Sequence, residues 1–206
     1  MEQPTYQTLI AVPDELRSTR VVLRPYRLAD ADALYEAVVE SRERLAAWLP
    51  WATHYTSVAV ARDFCQRTAA NRLLRTDLPY GLFAAHDGTF LGGTGLHRFD
   101  WQARTFEIGY WLRQSAEGHG YVGEAVRLLA TMAFTNLAAQ RVQIVCDARN
   151  ERSRRAAERA GFVLEGRLRN DRIGADGHPR DTLVFALIPQ DFARLRQSWQ
   201  DDLAGR

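Results

Sequence analysis

The chain has 206 residues, 46% of them hydrophobic, and a formal net charge of +2. That length gives one domain, or a domain with a short appendage, and a substantial core. All 27 Lys-plus-Arg positions are Arg, so lysine Schiff bases, the P-loop lysine and the protein-kinase lysine are excluded. Near-neutral charge argues against a dedicated nucleic-acid binder.

Residues 1–19 carry Pro4 and Pro13 with weak periodicity and read as an irregular lead-in. Arg20–Tyr26 reads as a strand stopped by Pro25. Asp30 can cap a helix whose apolar face holds Ala31, Leu34, Ala37 and Val38. The apolar segment Leu45–Trp51 is broken by Pro50 and leads into a loop. Ser57 caps a helix to about Arg75, with Val60, Phe64 and Leu73 predicted to point inward. Tyr80–Ala85, Phe90–His97 and Thr105–Leu112 form a predicted antiparallel meander, separated by the turn signals Asp87-Gly88 and Asp100. A glycine turn, Gly118–Gly123, precedes an amphipathic helix from Glu124 to about Ala138. A short strand, Arg141–Cys146, is followed by a helix from Asn150 to Ala160 with Gly161 just past its end. Strands near Phe162–Arg169 and Leu183–Leu187 and a C-terminal helix with Phe192, Leu195 and Trp199 on one stripe complete a single α+β domain over residues 1–206.

No basic start precedes an apolar run, and no 18-residue apolar stretch exists, so a soluble, cytoplasmic protein without membrane partners is expected. Cys65 and Cys146 show neither metal nor redox spacing and lack an obvious activator. They read as buried small apolar residues, and no metal site is expected.

Gly118-His119-Gly120-Tyr121-Val122-Gly123 fits G-x-G-x-x-G between a strand and a helix. Glycines there let backbone N–H groups converge on a pyrophosphate at the positive end of the helix. The plainer alternative is a helix-initiating turn without chemistry. A dinucleotide fold also wants an acidic residue about 20 positions on, and Asp147 qualifies. Against it, the motif follows a meander past the chain's midpoint, and few βαβ units fit in the 83 residues after Gly123.

Taken together, Glu107-Ile-Gly-Tyr-Trp-Leu112, the glycine loop, Asn150-Glu-Arg-Ser153 and Ala160-Gly-Phe-Val-Leu-Glu-Gly166 resemble the GNAT superfamily of acetyl-CoA-dependent N-acetyltransferases. Val21-Val-Leu-Arg-Pro25 with Leu28-Ala-Asp30, and Trp48-Leu-Pro-Trp51, resemble the branch holding the ribosomal-protein serine and alanine N-terminal acetyltransferases. The similarity spans about residues 19–190. It implies a GNAT fold: a mixed, mostly antiparallel sheet flanked by helices, with two parallel central strands splayed apart. Here those strands would be Thr105–Leu112 and Arg141–Cys146.

The resemblance implies further that acetyl-CoA enters the gap. Backbone groups of Tyr110, Trp111 and Leu112 would bind the pantetheine arm, in a form of β-augmentation. Residues 117–123 (Glu117, Gly118, His119, Gly120, Tyr121, Val122 and Gly123) would cradle the pyrophosphate. A primary amine would attack the thioester directly in a ternary complex, with no metal and no covalent enzyme intermediate. Glu107 would take the amine proton through water, unless it simply faces solvent or pairs with an Arg. Many relatives protonate the leaving thiolate with a Tyr from the helix after the second splayed strand. No Tyr lies between residues 122 and 206, and Ser153 matches the hydroxyl of the resembling branch. Asn150 would cap its helix and touch the cofactor arm. Arg113 and Arg154 are candidates for CoA phosphates, or solvated surface residues.

Trp48, Trp51 and Tyr55 would contact a peptide or aromatic acceptor. A small satellite core beneath their loop is the alternative, and it suits Trp48 better than Trp51. The acceptor is expected to be an N-terminal α-amine of a ribosomal protein, with a small-molecule amine or a non-catalytic CoA-binding module as alternatives. The resemblance also makes a homodimer possible.

Overall fold

The structure, a computed structural model, describes residues 6–205. Its strands are β1 (Leu16–Arg17), β2 (Val21–Arg24), β3 (Leu78–Ala84), β4 (Phe90–Asp100), β5 (Thr105–Leu112), β6 (Arg141–Asp147), β7 (Val163–Ile173) and β8 (Pro179–Leu187). The helices are α1 (Ala31–Ala46), α2 (Val58–Leu74), α3 (Tyr121–Asn136), α4 (Glu151–Arg159) and α5 (Pro189–Leu203). The strands form one sheet in the order β1-β2-β3-β4-β5-β6-β8-β7, antiparallel everywhere except between β5 and β6. Among the described residues no helix is long and apolar enough to cross a membrane.

Period-2 alternation builds two cores from one sheet. Val21, Leu23, Leu82, Leu96, Phe106 and Ile108 pack with Val126, Leu129 and Met132 of α3 and with Phe192 and Trp199 of α5. Val22, Phe83, Phe90 and Trp111 turn the other way, onto Leu34, Val38, Ala61 and Cys65 of α1 and α2. Both cysteines are buried and free.

Two expectations are corrected. The lead-in is not wholly irregular: Gln7–Leu9 forms a turn of 3₁₀ helix, and β1 pairs with β2. Two residues carry too little periodicity to reveal a strand, and only the partner's edge defines it. Leu73 points to solvent, and the buried face of α2 is Ala61, Cys65, Thr68 and Arg72. Arg72 takes that place because its guanidinium donates to the Pro13 carbonyl at 2.6 Å and lies over the Tyr80 ring.

Charge pairs pin the sheet ends. Arg24 grips Asp30 with two 2.7 Å hydrogen bonds, and Arg149 holds both oxygens of Asp147. Burial alone would raise the Asp30 carboxyl, but Arg24 and the Arg27 N–H outweigh it and hold it below 3.8. Hydrogen bonding from Arg149 lowers Asp147 likewise. A carboxylate with a depressed folded pKa contributes stability that is complete above its unfolded value and is lost as pH falls through the folded one. The thermal midpoint is therefore expected to hold down to about pH 5 and then to fall below about pH 4. Asp147→Asn should start lower and show a shallower acid decline when the midpoint is followed by circular dichroism.

Candidate active site

β5 and β6 pair only where Thr105–Glu107 meets Arg141–Gln143. β6 then stays on β8 as far as Asp147 opposite Thr182, while β5 stays on β4 as far as Leu112 opposite Gly92. Ile108–Leu112 therefore has no strand neighbour on its β6 side. An extended amide chain fits this edge as an added strand would.

One side chain reaches across the widening gap. The Tyr110 hydroxyl lies 2.9 Å from Ser153 Oγ and donates to the Ser153 carbonyl at 3.1 Å. Ser153 is fixed in the first turn of α4, where its N–H donates to the Asn150 side chain at 3.1 Å and so caps the helix. Burial pushes the Tyr110 phenol up to about 12 and raises the neighbouring Cys146 thiol, so both stay protonated at neutral pH. No Tyr follows residue 122, yet a phenol stands beside Ser153 all the same, delivered by β5.

The glycine loop lies against the N-terminus of α3. Gly118 and Gly120 have φ of +84° and +82°, values that glycine adopts without strain. Gly120 is the N-cap residue, so the first helical N–H groups, at Tyr121 and Val122, point outward without helical acceptors. Gly123 lies in the first turn. Arg20 donates to the His119 carbonyl at 3.0 Å, lies over the Tyr121 ring and grips Glu124. The His119 ring stacks on Tyr121. Glu117 projects its carboxylate between Arg44 and Arg152.

These features suit a CoA-like group: an unpaired strand edge for amides, and a positive helix end with cationic neighbours for phosphates. The arginines beside the loop are Arg20, Arg44 and Arg152, which periodicity and spacing did not single out. Arg113 instead binds Glu40 of α1, and Arg154 binds Glu158 along its own helix at 2.9 Å. Nothing in the sequence separates Arg152 from Arg154, because only the twist of α4 decides which one faces Glu117.

The opposite face of the sheet carries Glu107, 9% exposed, with Arg98 on one carboxylate oxygen and Gln143 Nε2 on the other at 3.1 Å. The bulge between His97 and Asp100 turns Arg98 to the Glu107 face. Trp51 packs edge-on against Tyr55 at 5.5 Å and against Trp111 at 5.7 Å. Tyr55 is buried, while Trp48 is 40% exposed. Trp51 thus belongs to the satellite core and Trp48 to the surface, the reverse of the order expected from Pro50, because the 3₁₀ turn Pro50–His54 rolls Trp51 inward. Leu112 and Val122 are partly buried and pack against the core that holds α3 and α5. Trp48 lines a cavity of about 380 Å³ with Ala46, Ala47, Arg149, Ala175 and Asp176. Its walls come from the end of α1 on one side and from the β6–α4 and β7–β8 connections on the other.

The acetyltransferase (GNAT) domain family matches residues 20–163. YdaF of Bacillus subtilis (strain 168), named provisionally as a ribosomal N-acetyltransferase, is 32% identical over 177 residues, covering 84% of this chain and 93% of its own. The ribosomal-protein-serine acetyltransferase of Escherichia coli (strain K12) is 24% identical over 157 residues, covering 75% and 85%. The solved structure of Mycobacterium smegmatis RimJ in complex with CoA-disulfide has the same fold, with a TM-score of 0.78 at 24% identity over 93% of this chain and 96% of that one. The matched domain and the parted central strands agree: this chain belongs to the GNAT acetyltransferase family.

Proposed function

We propose that the protein is a cytoplasmic acetyl-CoA-dependent N-acetyltransferase acting on a protein N-terminal α-amine, in the manner suggested by the names of its ribosomal-protein relatives. The observation that carries this is the opening between β5 and β6, with the hydroxyls of Tyr110 and Ser153 joined inside it. Acetyl-CoA, when bound, supplies the activated acetyl group. The edge of β5 at Tyr110–Leu112 holds its amide arm and polarises the thioester carbonyl, and the loop at 117–123 holds its pyrophosphate. Holding donor and amine together supplies much of the acceleration. Glu107, fixed by Arg98 and Gln143, presents a negative charge to the incoming amine.

A peptide acceptor is favoured over a polycation by the cavity at Trp48. The carboxylate of Asp176 there is already paired with Arg149 at 2.7 Å, so this cavity's lining offers no free acidic side chain to recruit multiple positive charges.

Titration calorimetry with acetyl-CoA, with NAD⁺ as control, tests the donor site, and acetylation of peptides beginning with Ser or Ala against a polyamine panel tests the acceptor. Binding of NAD⁺ in place of acetyl-CoA, or turnover of polyamines alone, overturns the reading. Ser153→Ala is expected to lower kcat about tenfold, below the usual range of about 10²–10⁴-fold for acid–base assistance, because a thiol leaving group asks for little. Its KM for acetyl-CoA should change less. Adding Tyr110→Phe should cost less than the product of the two single effects, since the pair acts as one unit.

A further inference from the structure

Four polar side chains form a row across the sheet on the Glu107 face. The ladders pair Leu78 with Leu96, which brings Asp77 beside His97, and then pair His97 with Glu107 and Glu107 with Gln143. Glu107 and Gln143 are also the last paired residues before β5 and β6 part. The row therefore borders the opening itself.

Its left half is built differently from its right. Both oxygens of Glu107 are engaged, by Arg98 and Gln143. His97, by contrast, uses only Nδ1, which lies 2.6 Å from Asp77 Oδ1. That contact fixes the tautomer with the proton on Nδ1 and leaves a lone pair on Nε2. Among the described residues Nε2 makes no hydrogen bond. It lies 3.1 Å from where a Cβ on Gly95 would stand and 3.2 Å from where one on Gly109 would stand. Gly95 and Gly109 are cross-strand partners, and Gly109 lies just beyond the last paired residue of β5. The imidazole thus lies over a glycine floor at the start of the unpaired edge, where any side chain would displace it.

We propose that His97 is the group that removes the proton from the acceptor amine, with Asp77 as its positioning residue. This rests on the acetyl-transfer reading and deepens it. An α-amine is mostly protonated below pH 8, so an ammonium arriving over Gly109 gives one proton to Nε2 and its nitrogen lone pair is freed. That lone pair forms the C–N bond at the acetyl carbon as the C–S bond breaks. The nitrogen's second proton balances the departing thiolate through the Tyr110–Ser153 hydroxyls, and the proton on His97 passes to solvent. Asp77 stabilises the imidazolium and keeps the ring turned. The charged groups facing His97 are Asp77 at its Nδ1 and Glu107 directly across the ladder, the latter paired with the half-exposed Arg98. Glu107 then serves to hold the ammonium rather than to deprotonate it.

The test compares wild type, His97→Gln, His97→Asn, Asp77→Asn and Glu107→Gln on a peptide with an N-terminal serine between pH 6 and 10. Both His97 variants should fold normally, keep the wild-type Kd for acetyl-CoA and lose about 100-fold in kcat/KM at pH 7. The acid limb should move up in them from its wild-type position to the amine's own pKa, near 8, and the deficit should close above pH 9, where the amine is already neutral. Asp77→Asn should show a smaller loss of the same shape. ¹⁵N spectra of wild type should show His97 protonated on Nδ1, and Asp77→Asn should remove that preference. The proposal is overturned if the acid limb of the His97 variants stays at its wild-type position, if Glu107→Gln alone shifts it in the same way, or if the ring carries its proton on Nε2. A wild type that binds acetyl-CoA but acetylates no amine sinks the acetyl-transfer reading instead, and the ¹⁵N tautomer still judges the dyad by itself.

Discussion

Glu124→Ala is expected to destabilise the protein by about 2–3 kcal/mol, lowering the thermal midpoint by roughly 4–12 °C in a calorimetric scan. Glu124 lies in the first turn of α3, only 5% exposed, where a carboxylate also complements the positive helix end. Ser18 Oγ donates to one oxygen at 2.5 Å and Arg20 Nε to the other at 2.6 Å. Removing the carboxylate strands a buried Ser18 hydroxyl and leaves the Arg20 guanidinium without its partner. A fully buried pair would lose 3–5 kcal/mol on such a change. Arg20 is half exposed and recovers water, so the figure is set lower. Arg20 also holds the His119 carbonyl, so the glycine loop should loosen as well, and acetyl-CoA affinity should fall with stability. Glu124→Gln keeps an acceptor for Ser18 and should lose less than half as much. A Glu124→Ala midpoint within about 2 °C of wild type would mean that the Ser18–Arg20 cluster contributes nothing to the fold.

The helices and the meander were legible because their information is local. Apolar spacing marks α1, α3 and α5, and turn signals mark β3, β4 and β5. Asn150 and Ser153 were legible for the same reason, since a cap and its N3 partner lie three residues apart. The Asp77–His97–Glu107–Gln143 row was not legible. Its members lie 20 residues apart between Asp77 and His97 and 36 apart between Glu107 and Gln143, and only strand register brings them together. A one-residue slip would send each to the other face. The same holds for Tyr110: no Tyr follows residue 122, yet β5 brings a tyrosine hydroxyl beside Ser153 from the other wall of the opening. Trp48 and Trp51 exchanged places because a five-residue 3₁₀ turn, which has no clear sequence period, sets their directions. Glu107 pairs with an Arg, as its alternative reading allowed, but alternation does not foresee that the partner is Arg98, turned to it by a bulge.

Gly120→Val is expected to abolish useful binding of acetyl-CoA, raising Kd by a factor on the order of 100, while Gly123→Ala leaves Kd within about threefold. Gly120 stands at φ +82° and ψ 4° as the residue before α3, a left-handed conformation that costs a β-branched residue about 1–2 kcal/mol. The chain escapes that strain by turning the peptide, and the N–H groups that follow then no longer converge. Two charge-assisted hydrogen bonds to phosphate, at about 1.5–3 kcal/mol each, are lost or bent. A tenfold change in Kd corresponds to about 1.4 kcal/mol, so loss of about 3 kcal/mol accounts for the factor. Gly123 has no such constraint: it lies in the first turn of α3, and a Cβ there would meet only the end of the Arg127 side chain, at 4.0 Å. Because Gly120 is solvent-exposed at the rim, with only Arg20 within 4 Å of an added Cβ, the substitution opens no cavity and overpacks no core. Its effect should therefore appear in calorimetric Kd far more than in the thermal midpoint. Equal losses in both would mean that the loop's conformation supports the fold rather than a phosphate.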